Sequence, residues 1–222
     1  RSNYFVSIMN QSIGFVGLGL MGSAMADRFL KASYSLSVYN RTREKAKPLI
    51  EGGATWAESS KVLAEKSDVV FSMLSTSTVL KAIALDSDGI LAGLRKGSVH
   101  VDCSTVAPSV TREIERTYAS RGRFFLHMPV LGSVPQAMEG RLLLFAGGNE
   151  EGFKAAEKVI RVLGEKVRRF EQAEQASHAK LLCNLFVAGM ITTLAQALAF
   201  ADRASVSPTV LLDIISHSAL NA

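Results

Sequence analysis

Gly17, Gly19 and Gly22 stand in the spacing G-x-G-x-x-G directly after the apolar run Ile13-Gly14-Phe15-Val16. Each suits a phosphate-bearing ligand for its own reason. The first glycine permits a tight turn, the second lets a pyrophosphate approach bare backbone, and the third lets the next helix pack closely on the strand. With Leu18, Leu20 and Met21 between them, the glycines would present helix N-terminal N–H groups to the phosphates. The spacing alone also arises by chance, so its surroundings decide. Phe15 and Val16 read as a buried strand, and Ala24, Met25, Phe29 and Leu30 follow at helical spacing.

A second apolar strand, Leu36 to Tyr39, runs into Asn40-Arg41-Thr42-Arg43. A site for NAD places an acid at this distance, against the ribose 2′-hydroxyl. No acid stands there. Arg41 and Arg43 can pair with a 2′-phosphate, and the Asn40 and Thr42 side chains can donate to it, so NADP(H) is favoured over NAD(H). The competing reading makes Arg41, Arg43 and Lys45 solvated charges opening a helix, although cations in a first turn oppose the dipole.

Strands separated by helices imply a parallel sheet with right-handed crossovers. Further strands are expected at Asp68 to Leu74, Gly97 to Val101, Phe124 to His127, Leu142 to Gly147 and Lys166 to Phe170. Helices are expected at 58–64, 76–84, 107–120 and about Glu151 to Leu163. The weaker alternation beyond Phe124 suggests an edge or mixed region. From Gln172 one long helix reaches about Ala204, and a second opens at Ser207-Pro208, an N-cap followed by proline. The expected architecture is α/β: a Rossmann-type doubly wound sheet over residues 9–170, then the start of an all-α domain over 171–222.

Ligands of such sheets bind at the carboxyl ends of the strands. Met73 and Leu74 would wall the adenosine or nicotinamide ribose there, with core packing the alternative for Met73. Asp102-Cys103-Ser104-Thr105 puts hydroxyls at another strand end, where they could hold a carboxamide or ribose, or cap the helix ahead of Pro108. His127 invites a catalytic role, but before Met128-Pro129 a structural one fits better.

Nearly half of the residues are apolar (48%), as in a globular protein, and the net charge of +5 is spread among acids. Small phosphorylated molecules account for that charge better than nucleic acid does. Cys103 and Cys183 lie far apart without metal-ligand spacing, which points to a reduced, cytoplasmic setting, no metal and no cysteine nucleophile. Met9 reads as a start codon, with residues 1–8 an extension. The apolar run Leu181 to Ala201 resembles a membrane span but is interrupted by Asn184, Thr192, Thr193 and Gln196, so a buried helix and a homodimer or higher oligomer are expected, with no membrane partner.

Four motifs in order give the chain a resemblance to the β-hydroxyacid dehydrogenase family. They are Gly14 to Gly22, Asp102 to Thr105, Pro129-Val130-Leu131-Gly132-Ser133, and Lys180 with Asn184 on the long helix. The resemblance implies hydride transfer between a nicotinamide and the carbonyl of a small aldehyde or keto acid, giving the hydroxy acid. It makes Lys180 the general acid/base, with Asn184 one turn on holding the lysine or the substrate oxygen. Read without the family, Lys180 fits a snorkelling lysine better, and Asn184 a polar group satisfied between helices. The resemblance also places Thr105 at the nicotinamide, and Ser104, Leu131, Gly132 and Ser133 at the substrate.

Three departures stand out. Leu131 replaces the serine of the family's Pro-Val-Ser-Gly-Gly and cannot donate a side-chain hydrogen bond, which admits a bulkier or less polar carbonyl. Two glycines usual ahead of the lysine are Glu174 and Ala176 here. The chain also stops at Ala222, before the family's later helices, so the C-terminal domain is expected to be truncated. Two other readings stay open: an imine reductase, whose relatives usually lack this lysine, and a non-catalytic dinucleotide-binding module.

Overall fold

The computed structural model describes residues 11–218. The expectations for Met9 and residues 1–8 lie outside that range. In chain order the strands are β1 (Ile13–Val16), β2 (Leu36–Tyr39), β3 (Thr55–Trp56), β4 (Val69–Ser72), β5 (Val99–Asp102), β6 (Phe124–His127), β7 (Val130–Leu131), β8 (Leu143–Gly148) and β9 (Lys166–Phe170). The helices are α1 (Leu20–Lys31), α2 (Lys47–Glu51, after a 3₁₀ turn Arg43–Ala46), α3 (Ser60–Glu65), α4 (Ser77–Leu85), α5 (Ile90–Gly93), α6 (Pro108–Ser120), α7 (Val134–Glu139), α8 (Glu150–Leu163), α9 (Ala173–Arg203) and α10 (Pro208–Ser216).

The sheet runs β3-β2-β1-β4-β5-β6-β8-β7, with β9 on β8. All pairs from β3 to β6 are parallel, while β8 runs antiparallel to β6 and β7 and parallel to β9. This is the expected doubly wound sheet, with its mixed region after β6. Two expected strands are shorter: 68–74 closes to Val69–Ser72, and 97–101 shifts to Val99–Asp102. The two-residue strands β3 and β7 carry too little pattern to read from sequence.

Apolar residues on β4 alternate between two cores because its side chains point to opposite faces. Val69 and Phe71 pack under α1 with Ile13, Phe15 and Phe29, whereas Val70 packs with Leu63, Leu80, Ile90 and Ile114. Phe71 is the hub of the first core, 4.8 Å from the Phe29 ring and 6.1 Å from Phe15. Burying such a side chain contributes roughly 1.5–3 kcal/mol. The order reverses at β1, which has β2 on one side and β4 on the other, so a crevice opens at their carboxyl ends.

The chain divides after Lys180 into two compact units. The expected boundary near Phe170 falls at the end of the sheet, ten residues before that division. The second unit holds most of α9 and, after a turn with Ser205 at φ 60, α10, which starts at Ser207 with Pro208 in its first turn. Within α9 a window is long and apolar enough to cross a membrane, a test that core helices of soluble proteins also pass.

Candidate dinucleotide site

Gly17 takes φ +94, in the left-handed region, and a Cβ on it would run into the Met73 carbonyl oxygen. A Cβ on Gly22 would overlap the Gly17 carbonyl oxygen. The turn, the first turn of α1 and the end of β4 therefore meet through backbone. Gly19 is different: no heavy atom lies within 4 Å of where its Cβ would stand. It is the N-cap of α1, no side chain caps that end, and no acid sits in the first turn. Open space over an uncapped helix N-terminus fits a pyrophosphate. Leu18 is buried at 2% exposure, Leu20 is 85% exposed, and Met21 packs against the core. From Leu18, then, only backbone faces the crevice.

The amide of Asn40 is used at both ends. Its Oδ1 accepts from the Leu18 N–H at 2.9 Å, and its Nδ2 donates to the Thr42 carbonyl at 2.8 Å. Asn40 thus ties the end of β2 to the glycine turn with its oxygen and one Nδ2 hydrogen, and the expected donation to a phosphate falls to the second. Arg41 and Thr42 are exposed beside it, and Arg41 makes no ion pair among the described residues. Arg43 instead stacks over Trp56, 5.2 Å from the ring centroid.

Across the crevice, Met73 and Leu74 are half-buried at the end of β4. The Leu74 N–H donates to Ser104 Oγ at 2.8 Å, and that hydroxyl donates to Asp102 Oδ1 at 2.6 Å. Ser104 is fully buried with its hydroxyl occupied, which corrects its expected contact with substrate. Thr105, next along, is exposed. Neither residue caps α6, whose N-cap is Ala107.

Asp102 is the centre of a polar row that sequence reasoning did not assemble. It also accepts from Ser72 Oγ at 2.7 Å and from His127 Nδ1 at 3.0 Å. Burial opposes its ionisation, yet hydrogen bonds and charge from His127, a hydrogen bond from Ser104 and the charge of His100 keep its pKa below the usual carboxylate range. Because Ser72 gives its proton to Asp102, His100 Nε2 donates to Ser72 Oγ at 2.8 Å, and Nδ1 accepts from the Tyr118 hydroxyl at 2.8 Å. Burial lowers the His100 pKa to about 4, with Asp102 opposing and His127 adding to the shift. Burial, then the Asp102 charge, push the Cys103 thiol well up, so it is no nucleophile. The available signal was the pair His100 and Asp102 in an otherwise apolar strand.

Leu131 is half-buried on β7, opposite Leu143. Gly132 follows at φ +140, and the Ser133 N–H donates to Gln136 Oε1 at 3.0 Å as the N-cap of α7. Lys180 is partly exposed and closes the first unit, and Asn184 is exposed, four residues on along α9. Direct contacts thus join the glycine turn, Asn40, Met73, Leu74 and Ser104. A surface cleft of about 860 Å³ lies elsewhere, at Asp68, Arg95–Ser98, Lys154, Ala155, Glu157 and Lys158 by the amino ends of β4 and β5.

A parallel sheet of order 3-2-1-4-5-6 with this glycine turn at its switch point defines a dinucleotide-binding protein. Residues 12–171 match the family described as the NAD binding domain of 6-phosphogluconate dehydrogenase. The probable 3-hydroxyisobutyrate dehydrogenase-like 2, mitochondrial, of Arabidopsis thaliana is 35% identical over 207 residues, 93% of this chain and 69% of the plant protein. The chain belongs to the β-hydroxyacid dehydrogenase family of nicotinamide-dependent oxidoreductases, of the 3-hydroxyisobutyrate dehydrogenase type.

Solved structures agree. The 3-hydroxyisobutyrate dehydrogenase of Mycobacterium tuberculosis with L-serine gives a TM-score of 0.86 at 26% identity, over 95% of this chain and 72% of that one. Psf3 in complex with NADP+ and 2-OPP gives 0.84 at 28% identity, over 93% and 73%. Imine reductases of Myxococcus stipitatus, at 20% and 24% identity, share the fold. The chain spans 69% to 73% of the length of the first three proteins.

Proposed function

We propose that this chain carries the NADPH site and the general acid of a reductase that interconverts a small aldehyde or keto acid and its hydroxy acid. The observation that carries the reading is the open, uncapped end of α1 over Gly19, with Arg41 exposed and without an ion pair among the described residues at the neighbouring strand end. The α1 N-terminus binds the pyrophosphate, and Arg41 with the Thr42 hydroxyl holds the 2′-phosphate. Leu18, Leu20 and Met21 line the turn, Met73 and Leu74 wall the ribose, and Thr105 meets the carboxamide end. When bound, reduced nicotinamide supplies the hydride. Lys180 Nζ delivers a proton to the substrate oxygen as negative charge gathers there, and takes it back in the oxidative direction. Asn184 holds the oxygen, and the backbone of Gly132 and Ser133 faces the substrate's carboxylate.

The test is NADPH oxidation by the full-length protein across a panel of semialdehydes and keto acids. Lys180→Ala should lower kcat by about 10²- to 10⁴-fold, the usual share of a positioned general acid. Undiminished turnover in that variant removes the mechanism. Leu131, apolar where the family carries serine, favours a second reading, reduction of a carbon–nitrogen double bond. Turnover of cyclic imines but of no carbonyl compound would establish it. Exposed Leu182, Leu185, Phe186 and Ile191 on the second unit support self-association, which sedimentation of the full-length protein decides.

A further inference from the structure

Helix α9 starts against α6 through three polar contacts. The Ala173 N–H donates to both Glu115 carboxylate oxygens at 3.2 Å, Arg112 Nη1 pairs with Glu174 Oε2 at 3.1 Å, and Thr111 Oγ1 meets Ser177 Oγ at 3.2 Å. The order is crossed: Thr111, earliest on α6, meets Ser177, latest on α9. The two helices therefore engage antiparallel over about one turn. Ala173, Ala176 and Ser177 are buried, and a Cβ on Gly147 of β8 would press on the Gln172 carbonyl and on Ala176 Cβ. The first turn of α9 is thus held between α6 and β8.

Three contacts at different heights fix both the rotation of a helix and its position along its axis. Lys180 lies three residues beyond Ser177 and shares its face, so it inherits both settings. A shift of one residue along α9 would turn Nζ by about 100° and move it by about 1.5 Å. Helix α6 begins three residues after Thr105. One helix consequently anchors the loop carrying Thr105 and the helix carrying Lys180. Glu174 and Ala176 give this chain means of its own for the purpose: Glu174 offers Arg112 a partner, and Ala176 fits because residue 147 is glycine.

We propose that Thr111, Arg112 and Glu115, acting on Glu174, Ser177 and the Ala173 N–H, are positioning residues that set the rotation and height of Lys180. The proposal rests on the reading of Lys180 as the general acid. Partly exposed ion pairs add little to stability, so the pair Arg112–Glu174 can be altered without unfolding the protein.

The test uses the full-length protein, a carbonyl substrate from the panel, and single-turnover hydride transfer measured beside the NADPH Kd. Arg112→Glu and Glu174→Arg should each slow hydride transfer by about 10-fold or more, as small misplacements at reacting groups do, with the Kd within about twofold of wild type. The double exchange Arg112→Glu/Glu174→Arg should recover most of the rate. Thr111→Val, nearly isosteric, gives the same readout if a charge reversal fails to fold. Single variants that keep the wild-type rate, or a double exchange that recovers nothing, overturn the positioning role. A wild-type protein that binds NADPH but reduces nothing overturns the Lys180 reading and this proposal with it, a result distinct from turnover that the variants leave unchanged.

Discussion

Gly19 and Gly22 separate what binding needs from what folding needs. Gly22→Ala must push aside the Gly17 carbonyl, so it should lower the melting midpoint and weaken NADPH together. Gly19→Ala meets no protein atom within 4 Å, and its backbone at φ −76 suits alanine. It should melt within a few degrees of wild type yet bind NADPH at least about 10-fold more weakly, because its methyl fills the phosphate cradle. Calorimetry beside fluorescence titration decides, and tight binding by this variant would place the phosphates elsewhere. Arg41 acts on choice of cofactor. A charged hydrogen bond contributes about 1.5–3 kcal/mol, so Arg41→Ala should weaken NADPH about 10- to 100-fold and leave NADH unchanged. Equal loss for both cofactors would contradict a 2′-phosphate contact.

The connection between β2 and the glycine turn belongs to neither element alone. Asn40 spans it, and Asn40→Ala strands the Leu18 N–H and frees the Thr42 carbonyl. Leaving such a group unpaired costs about 1–3 kcal/mol. The variant should therefore lose stability in urea and weaken NADPH and NADH alike, unlike Arg41→Ala. Cofactor discrimination in Asn40→Ala would mean that the amide reaches the 2′-phosphate after all. On the opposite wall, Ser72, Asp102 and His127 are register partners across β4, β5 and β6, so one carboxylate ties three parallel strands together just beneath Leu74 and Thr105. The walls of the crevice are thus held by side chains that never need to touch the ligand.

For the molecule as a whole, this buried row sets the response to acid. His100 titrates at about 4 when folded and near its ordinary 6.5 when unfolded, so between those values the unfolded chain holds more protons. Its contribution is fully present above pH 6.5 and is lost as the pH falls toward 4, by up to roughly 3 kcal/mol. Asp102, with its folded pKa depressed, adds a further loss as the pH falls below the ordinary carboxylate value of 3.8. Glu115 has the opposite sign: burial raises its pKa, so its share is present below 4.5 and lost as the pH rises through the raised value. Urea unfolding from pH 7 to pH 4 should show a steep decline in wild type and a flatter one in His100→Phe, whose ring does not titrate. Parallel curves for the two would take His100 out of the account.

Local signals gave away much of this protein. The apolar stretch of β6 and the alternation of β2 placed those strands to the residue, the glycine spacing placed the turn after β1, and Ser207-Pro208 placed the start of α10, because period, glycine and proline act through the chain's nearest neighbours. The cofactor class followed from the same local features, together with the resemblance. Other facts needed the folded chain. The amide of Asn40 faces inward to the turn, Ser104 turns its hydroxyl to Asp102, and β8 enters between β6 and β7 against the parallel trend. The buried row needs, in addition, register between strands 25 to 30 residues apart, Ser72 with Asp102 and Asp102 with His127. Side-chain alternation is written in each strand, whereas the neighbour each side chain meets is set only when the strands align.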